Sequence, residues 1–176
     1  MLPGHDAILD ASPWVKRFAA LIPKQGTVLD LACGSGRHSH YLADAGFSVT
    51  AIDRDLSLFL LGSQTQITTQ ELDLELETWP LEGRLFDGIV VTNYLYRPHL
   101  DRLPQMLSAG GVFIYETFAQ GNEAFGKPSN PNFLLKTGEL LTLAQRHSLK
   151  VVAYEDIYQG SPKPAMMQRI CAVKAV

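Results

Sequence analysis

Three aspartates are spaced so that each falls at or near the end of a predicted strand: Asp30, Asp53 and Asp73. Acids at three successive strand ends would face one crevice. A carboxylate at the second strand end suits two hydrogen bonds to a ribose diol, one at the third can accept from an adenine amino group, and one beside a glycine loop can balance a ligand ammonium group. Each aspartate alone could be a solvated turn residue, but the ordered set predicts a nucleoside-binding crevice.

Two glycines, Gly34 and Gly36, lie between Asp30 and a predicted helix that begins at Arg37. Glycines let the backbone approach a ligand closely, and a helix start supplies free N–H donors. Glycine turns between a strand and a helix also serve geometry alone, so it is the neighbouring acids that favour a binding loop.

The elements that must position these residues alternate along the chain. We predict strands over 27–31, 48–52, 71–73, 86–92, 112–116, 149–154 and 168–176, and helices over 13–22, 37–45, 56–61, 99–107 and 137–146. This alternation predicts crossover units and an α/β, doubly wound, mainly parallel seven-stranded sheet. The last two strands leave little room for a helix between them, so we expect an antiparallel hairpin at one edge.

Composition limits the classes of function. The 176 residues fit a single domain over 1–176, with 46% apolar residues and a formal net charge of −3. Because the 15 Lys and Arg residues form no basic run, nucleic-acid and membrane partners are not expected. Two distant cysteines and the lack of a signal-peptide pattern favour a reduced, cytoplasmic setting. Nothing in the sequence indicates the oligomeric state.

The glycine segment resembles that of a known enzyme family. Val28-Leu-Asp-Leu-Ala-Cys-Gly-Ser-Gly-Arg-His is similar to the cofactor-binding motif of class I S-adenosylmethionine-dependent methyltransferases. Ala51-Ile-Asp53 and Glu71-Leu-Asp73 resemble the second and third motifs of that family, and the segments 86–94 and 110–114 resemble its fourth and fifth strands.

The resemblance runs from about Gly26 to Tyr115, and the chain looks like the compact bacterial enzymes of the tellurite-resistance and thiopurine kind. Two features depart from the family pattern. Ala32 stands where the fullest motif often has its first glycine, and the third motif is short. The resemblance implies a Rossmann-like methyltransferase fold, S-adenosylmethionine as cofactor and S-adenosylhomocysteine as product.

Position by position, the implied cofactor-binding residues are Asp30, Ala32, Gly34, Gly36, Asp53, Arg54, Asp73, Leu74 and Asn93. By this resemblance the first four surround the methionine part, and the next two hold the ribose and flank the adenine. The following two meet the adenine ring, and the last lies near the reacting sulfonium. No metal site is expected, because His38 and His40 point to different faces of a helix.

Polar and aromatic residues after the fourth and fifth predicted strands indicate an acceptor pocket. Candidates for a base or an acceptor contact, without a ranking, are Tyr94, Tyr96, Arg97, His99 and Glu116, of which Arg97 could pair with an anionic acceptor. The segment 118–136 has glycines, prolines and no periodicity, so we predict a lid loop. Its predicted substrate contacts are Phe118, Asn122, Phe125 or Phe133.

Two other functions compete with methyl transfer to a small-molecule acceptor. An NAD(P)-dependent oxidoreductase would need a third small residue at the Gly-x-Gly-x-x-Gly spacing, where the chain has Ser39, and no Tyr-x-x-x-Lys pair is present. A non-catalytic S-adenosylmethionine-binding module would lack the polar residues of an acceptor pocket. The charge and the Asn93-Tyr-Leu-Tyr segment, which is not the Asn-Pro-Pro-Tyr type of motif, favour a small molecule over a nucleic acid.

Overall fold

A computed structural model describes residues 10–176, which form a seven-stranded sheet with helices on its faces. The strands are β1 (Thr27–Leu31), β2 (Ser48–Asp53), β3 (Ile67–Glu71), β4 (Phe86–Thr92), β5 (Leu107–Phe118), β6 (Lys150–Gln159) and β7 (Ala165–Val173). The α-helices are α1 (Pro13–Phe18), α2 (Arg37–Asp44), α3 (Arg102–Gln105) and α4 (Glu139–Arg146). Short 3-10 turns cover Ala19–Leu21, Arg97–His99, Asn122–Ala124 and Pro131–Phe133.

The sheet order is β3-β2-β1-β4-β5-β7-β6. Strands β1 to β5 are parallel, whereas β7 pairs antiparallel with both β5 and β6. The predicted fold class, a mainly parallel sheet with an antiparallel edge hairpin, is therefore confirmed. The carboxyl ends of β1, β2, β4 and β5 meet at one edge, which is where ligands of such sheets bind.

Alternate side chains of the central strands enter two separate cores. Leu29 of β1 and Ile89 of β4 belong to one buried cluster, whereas Val28 and Val90 belong to the other. Because side chains alternate across a strand and helices or loops cover both faces, continuous apolar runs are needed in β1 and β4. Burial on both faces holds the ends of these two strands in fixed positions.

The first described helix begins as its sequence predicts. The Ser12 hydroxyl accepts a hydrogen bond from the backbone N–H of Trp14 at 3.1 Å, and Pro13 occupies the first turn. The Ser12 N–H also donates to Nε2 of His38, at 3.1 Å. This contact ties the start of α1 to α2, beside the carboxyl edge of the sheet.

Two predicted helices differ from the structure. The segment 56–61 is irregular, since six residues nucleate a helix poorly and the Asp55 carboxylate accepts from the Ser57 N–H instead. The predicted helix 99–107 is reduced to α3, because Pro104 lacks a backbone donor and limits it to a single turn.

Several predicted strands have different bounds, among them β6, which extends to Gln159, and β7, which covers Ala165–Val173. Strand β3 ends at Glu71, so Asp73 lies two residues beyond it. Strand β5 begins at Leu107 instead of Val112, and Gly110 and Gly111 lie inside it, where its pairing with β4 is irregular. Within residues 10–176, none of the helices combines the length and apolar character needed to cross a bilayer.

Candidate active site

The glycine loop after β1 is hydrogen-bonded to the end of β2. The backbone N–H of Gly34 donates to Oδ2 of Asp53 at 2.9 Å, and the N–H of Cys33 donates to the carbonyl of Ile52 at 2.9 Å. The parallel register pairs Leu31 with Ile52, so the two strands end side by side. The glycine loop and the second aspartate therefore form one structural unit.

The loop needs left-handed backbone at three alternate positions. The φ angles of Ala32, Gly34 and Gly36 are 54°, 53° and 81°. The position at which the family motif often has glycine is thus left-handed in this chain as well, although alanine occupies it. A Cβ atom placed on Gly34 would have no atom within 4 Å, so open space borders the backbone there.

Gly36 serves a purpose that the sequence did not reveal. A Cβ atom on Gly36 would lie 2.4 Å from the nearest ring atom of Phe59, so the glycine makes room for an aromatic side chain of the same protein. The Phe59 ring also lies 5.5 Å from that of His40. The loop after β2 thus packs on the start of α2, and Gly36 permits this packing.

Asp30 is buried behind the glycine loop. Its side chain accepts a hydrogen bond from the Ser39 hydroxyl at 2.6 Å, and the residue is 1% exposed. Burial raises the pKa of the Asp30 carboxyl to about 6, against the lowering effect of the Ser39 hydrogen bond. Ser39, which occupies the third position of the oxidoreductase fingerprint, is thus a partner of Asp30.

Asp53 fits a polar ligand because its hydrogen-bonding capacity is only partly used. Its Oδ2 accepts from Gly34 and its Oδ1 accepts from the N–H of Asp55 at 3.1 Å. A carboxylate can accept about four hydrogen bonds, and the side chain is only half-buried. The remaining lone pairs, with the open side of Gly34, fit the diol of a nucleoside.

The structure distributes the other predicted cofactor residues unevenly. Arg54 and Asp73 are exposed, and Oδ1 of Asp73 accepts from the Glu75 N–H at 2.9 Å. Leu74 is buried in a core cluster. Asn93 follows β4 in a left-handed conformation, with φ 54°, and its N–H donates to the Glu116 carbonyl at 3.0 Å.

A cavity of about 810 Å³ opens at the carboxyl ends of β4 and β5. Its walls come from the starts of α1 and α2, the ends of β4, β5 and β6, the start of β7 and the segment 118–136. Arg37 and Asn93 line it on the side of the glycine loop, and Glu116 and Arg169 line it on the side of the hairpin. The cavity therefore reaches Arg37, the residue that follows the glycine loop, whereas Gly34 and Asp53 do not line it.

Glu116 is held in a buried ion pair. Its Oε2 accepts from Nε of Arg169 at 2.8 Å, across the register pair of β5 and β7. Nη1 of Arg169 also donates to Oε2 of Glu155 at 3.1 Å, and Nη2 donates to Gln159. The guanidinium thus holds three strands together, a contact that depends on register and was missed in the sequence.

Arg97 is bound by the protein itself. Its Nε and Nη2 donate to the Glu139 carboxylate at 2.8 and 2.9 Å, and its other donors reach the carbonyls of Pro131, Asn132 and Leu134. This geometry fastens the segment 131–134 to the start of α4. The residue does not line the large cavity.

The remaining catalytic candidates also lie away from the large cavity. Tyr96 donates to the Glu75 carbonyl at 3.2 Å, and Nε2 of His99 contacts the Leu76 carbonyl at 2.6 Å. The Tyr94 hydroxyl is buried without a hydrogen-bond partner among the described residues, and burial raises its pKa. Of the five candidates, Glu116 lines the cavity.

The segment 118–136 is a compact loop with joined ends. The Leu135 N–H donates to the Phe118 carbonyl and the Gln120 N–H donates to the Leu135 carbonyl, both at 2.9 Å. The buried amide of Asn122 donates to the Pro128 carbonyl and accepts from the Met166 N–H. Phe118, Asn122 and Phe125 line the large cavity, and the exposed Phe133 lines a neighbouring one.

The strand order, with its parallel strands and antiparallel edge hairpin, defines a Rossmann-like α/β fold. The chain belongs to the family described as Methyltransferase domain, whose model matches residues 4–160. The predicted resemblance to class I S-adenosylmethionine-dependent methyltransferases is confirmed. The chain spans about two fifths of the length of the curated relatives it matches.

One such relative is the malonyl-[acyl-carrier protein] O-methyltransferase of Salmonella typhimurium, which is 30% identical over 102 residues, or 54% of this chain and 40% of that protein. Among solved structures, TehB from Haemophilus influenzae has a TM-score of 0.70 at 20% identity, covering 92% of this chain and 61% of that chain. The 1,6-didemethyltoxoflavin-N1-methyltransferase of Burkholderia thailandensis, solved with S-adenosylhomocysteine, has a TM-score of 0.70 at 17% identity, covering 98% and 80%. Likeness at these identities shows the fold.

Proposed function

We propose that this chain binds S-adenosylmethionine at the glycine loop and Asp53, and that it transfers the methyl group to a small-molecule acceptor in the large cavity. The observation that carries the proposal is the hydrogen bond from Gly34 to Asp53, at the same edge of the sheet as a cavity of about 810 Å³ whose wall includes Arg37 and Asn93. Family membership supplies the reaction class. The geometry supplies a place for each of the two substrates.

In this proposal Asp53 holds the ribose, because its carboxylate has unused lone pairs at the end of β2. Ala32 and Gly34 border the methionine part with exposed backbone, and Asn93 lies between the cofactor and the cavity. Asp30 acts from behind the loop, where it holds Ser39 and the start of α2. Arg54, Asp73 and Leu74 belong to the adenine side.

When bound, the cofactor supplies a sulfonium whose methyl group is displaced in line by a nucleophile. The protein must therefore orient the acceptor and exclude water, and proximity accounts for most of the effect. The cavity walls from the segment 118–136 are suited to this, since Phe118 and Phe125 bring apolar surface to it. We propose that this segment acts as a lid over the bound acceptor.

The competing functions receive less support. Ser39 of α2, at the third position of the oxidoreductase fingerprint, donates a hydrogen bond to Asp30 of β1. Family membership also favours methyl transfer over hydride transfer. A non-catalytic module would not need a cavity of this size beside the cofactor. The acceptor of the Salmonella relative is attached to a carrier protein, as its name states, and at 54% coverage that acceptor is not transferred to this chain.

The decisive experiment is calorimetric titration of the protein with S-adenosylhomocysteine. We expect binding in the parent protein and a loss of about ten- to a hundredfold in affinity for Asp53→Ala, corresponding to about 1.5–3 kcal/mol. The control is Glu82→Ala, which removes an exposed carboxylate that pairs with Arg102. Unchanged affinity in Asp53→Ala would refute the role of this residue, and binding of NADH without binding of S-adenosylhomocysteine would refute the proposed function.

A further inference from the structure

The charges that line the large cavity are unbalanced. Arg37, Lys127, Lys163 and Arg169 contribute four cations, whereas Asp10 and Glu116 contribute two anions. The whole chain has a formal net charge of −3. The cavity is therefore a local region of positive charge on a negatively charged protein, and it favours ligands of negative charge.

Both anions already have cationic partners. The Asp10 carboxylate pairs with Lys16, and Glu116 pairs with Arg169 at 2.8 Å. In contrast, Lys127 and Lys163 have no carboxylate within 4.0 Å in the part of the chain that the structure describes. These two ammonium groups are available to a ligand.

The cavity also offers little that could remove a proton from an acceptor. Among residues 10–176, no His, Cys or Tyr lines it, and its one inner carboxylate, Glu116, is held by Arg169. A neutral alcohol or a protonated amine would need a base before it could attack. An acceptor that is already ionised needs none.

Part of the cavity wall is apolar. Phe118, Phe125 and Met167 line it, and the Phe125 ring lies 5.2 Å from that of Tyr158. Phe125 and Tyr158 are each about half exposed, at 46% and 54%. An occupant with an apolar body would cover these rings while its charged group contacts the lysines.

We propose that the acceptor is a small organic anion with an apolar body, recognised by Lys127 and Lys163. This inference rests on the proposed function. In the reaction a lone pair of the ionised acceptor forms the new bond to the methyl carbon, the carbon–sulfur bond breaks, and its electron pair remains on the sulfur, which becomes a neutral thioether. No proton moves, and the acceptor loses its negative charge, so the product is held less tightly by the lysines.

The test compares two fluorescent probes with the same ring system. 1-Anilinonaphthalene-8-sulfonate is an aromatic anion, and N-phenyl-1-naphthylamine lacks the sulfonate. Both are titrated, at low ionic strength, into the protein saturated with S-adenosylhomocysteine. The variant is the double substitution Lys127→Glu, Lys163→Glu, and the control is Lys24→Glu, Lys150→Glu, which changes the net charge equally at the opposite edge of the sheet.

We expect the cavity variant to bind the sulfonate probe about tenfold more weakly and the neutral probe as before, with the loss shrinking at about 1 M salt. The control should bind both probes like the parent. Equal affinity of parent and cavity variant for the sulfonate probe, or an equal loss for both probes, would overturn the inference. A protein that fails to bind S-adenosylhomocysteine contradicts the proposed function instead, and the same probe titrations on the free protein then still test the charge preference.

Discussion

The two halves of the carboxyl edge present different kinds of groups to the ligands that we propose. At β1 and β2 the site is made of backbone and one acid, with Gly34 and Asp53 joined by a hydrogen bond. At β4, β5 and β7 it is made of side chains from distant parts of the chain, such as Glu116 and Arg169. Backbone groups suit the recognition of a cofactor that does not vary, whereas side chains can differ between proteins that use different acceptors.

The halves also differ in how they bury charge. Asp30 lies behind the glycine loop with one hydroxyl donor and no cationic partner within 4.0 Å among the described residues, and burial raises its pKa to about 6. Glu116 is almost as buried, but an arginine neutralises it. The ionised form of Asp30 is therefore destabilised by burial, whereas the ionised form of Glu116 is stabilised by Arg169. The following substitutions test this difference.

The largest effect is expected for Glu116→Ala. Removing the carboxylate leaves the mostly buried Arg169 with Glu155 as its remaining carboxylate partner, and breaking such a pair costs about 3–5 kcal/mol. Urea denaturation monitored by circular dichroism measures this loss. Glu82→Ala, which breaks an exposed pair, should cost less than about 1 kcal/mol.

Glu116→Gln separates a structural role from a basic one. The amide keeps an oxygen that accepts from Arg169, so we expect more stability than in the alanine variant and retained methyl transfer. Complete loss of turnover in a folded Glu116→Gln protein would show that Glu116 acts as a base. That result would make the cavity half resemble a conventional acid–base site.

The contrast between the halves also explains what the sequence could predict. Asp30, Gly34 and Asp53 lie at the ends of strongly apolar strands, and the position of a strand end determines where its backbone meets a ligand. The end of β4 was predicted equally well, yet Arg97 and His99 bind other groups of the protein and do not line the large cavity. The end of a strand fixes where the backbone lies, but the direction of each following side chain depends on the 3-10 turn Arg97–His99.

Residues of the cavity half could not be predicted because their proximity depends on register. Arg169 faces Glu116 only because β7 runs antiparallel to β5 with that pairing. Lys127 and Lys163 come from two loops that no local pattern connects. Phe59 shows the same limit in the other half, since its contact with Gly36 depends on how an irregular loop folds back.

An intermediate effect is expected for Asp30→Asn, and it depends on pH. The folded carboxyl has a pKa of about 6 against 3.8 for an ordinary carboxyl, so the folded state retains a proton that the unfolded state has lost between those pH values. The contribution of Asp30 to stability is therefore largest below about pH 4 and is lost as the pH rises through 6, by about 3 kcal/mol over the whole titration. The Asp30→Asn variant has no carboxyl group at this position, so it does not lose this contribution as the pH rises.

The measurement is the free energy of unfolding of both proteins at pH 4, 5, 6 and 8. The difference between variant and parent should grow by about 2 kcal/mol from pH 4 to pH 6 in favour of the variant, and by less than about 1 kcal/mol from pH 6 to pH 8. A constant difference across this range would contradict a raised pKa.

His38 provides the opposite slope for comparison. It is buried and accepts from the Ser12 N–H, and burial lowers its pKa to about 3. Its contribution therefore weakens as the pH falls from 6.5 toward 3, which offsets Asp30 in the parent protein between pH 4 and 6. His38→Gln should consequently gain relative stability as the pH falls, so that the two variants change in opposite directions.

The smallest effect on stability, and the most selective effect on binding, is expected for Gly34→Ala. The backbone at Gly34 is left-handed, which costs an alanine about 1 kcal/mol, but the new methyl group meets no atom of the protein. Gly83→Ala is matched, since Gly83 is also left-handed with no atom within 4 Å and lies in the loop that precedes β4. Both variants should lose similar stability in urea, whereas only Gly34→Ala should lose about tenfold in calorimetric affinity for S-adenosylhomocysteine, because its methyl group fills the open side of the loop. If both variants bound the ligand like the parent, that open side would not be the cofactor site, and the recognition of the cofactor by backbone would have to be abandoned.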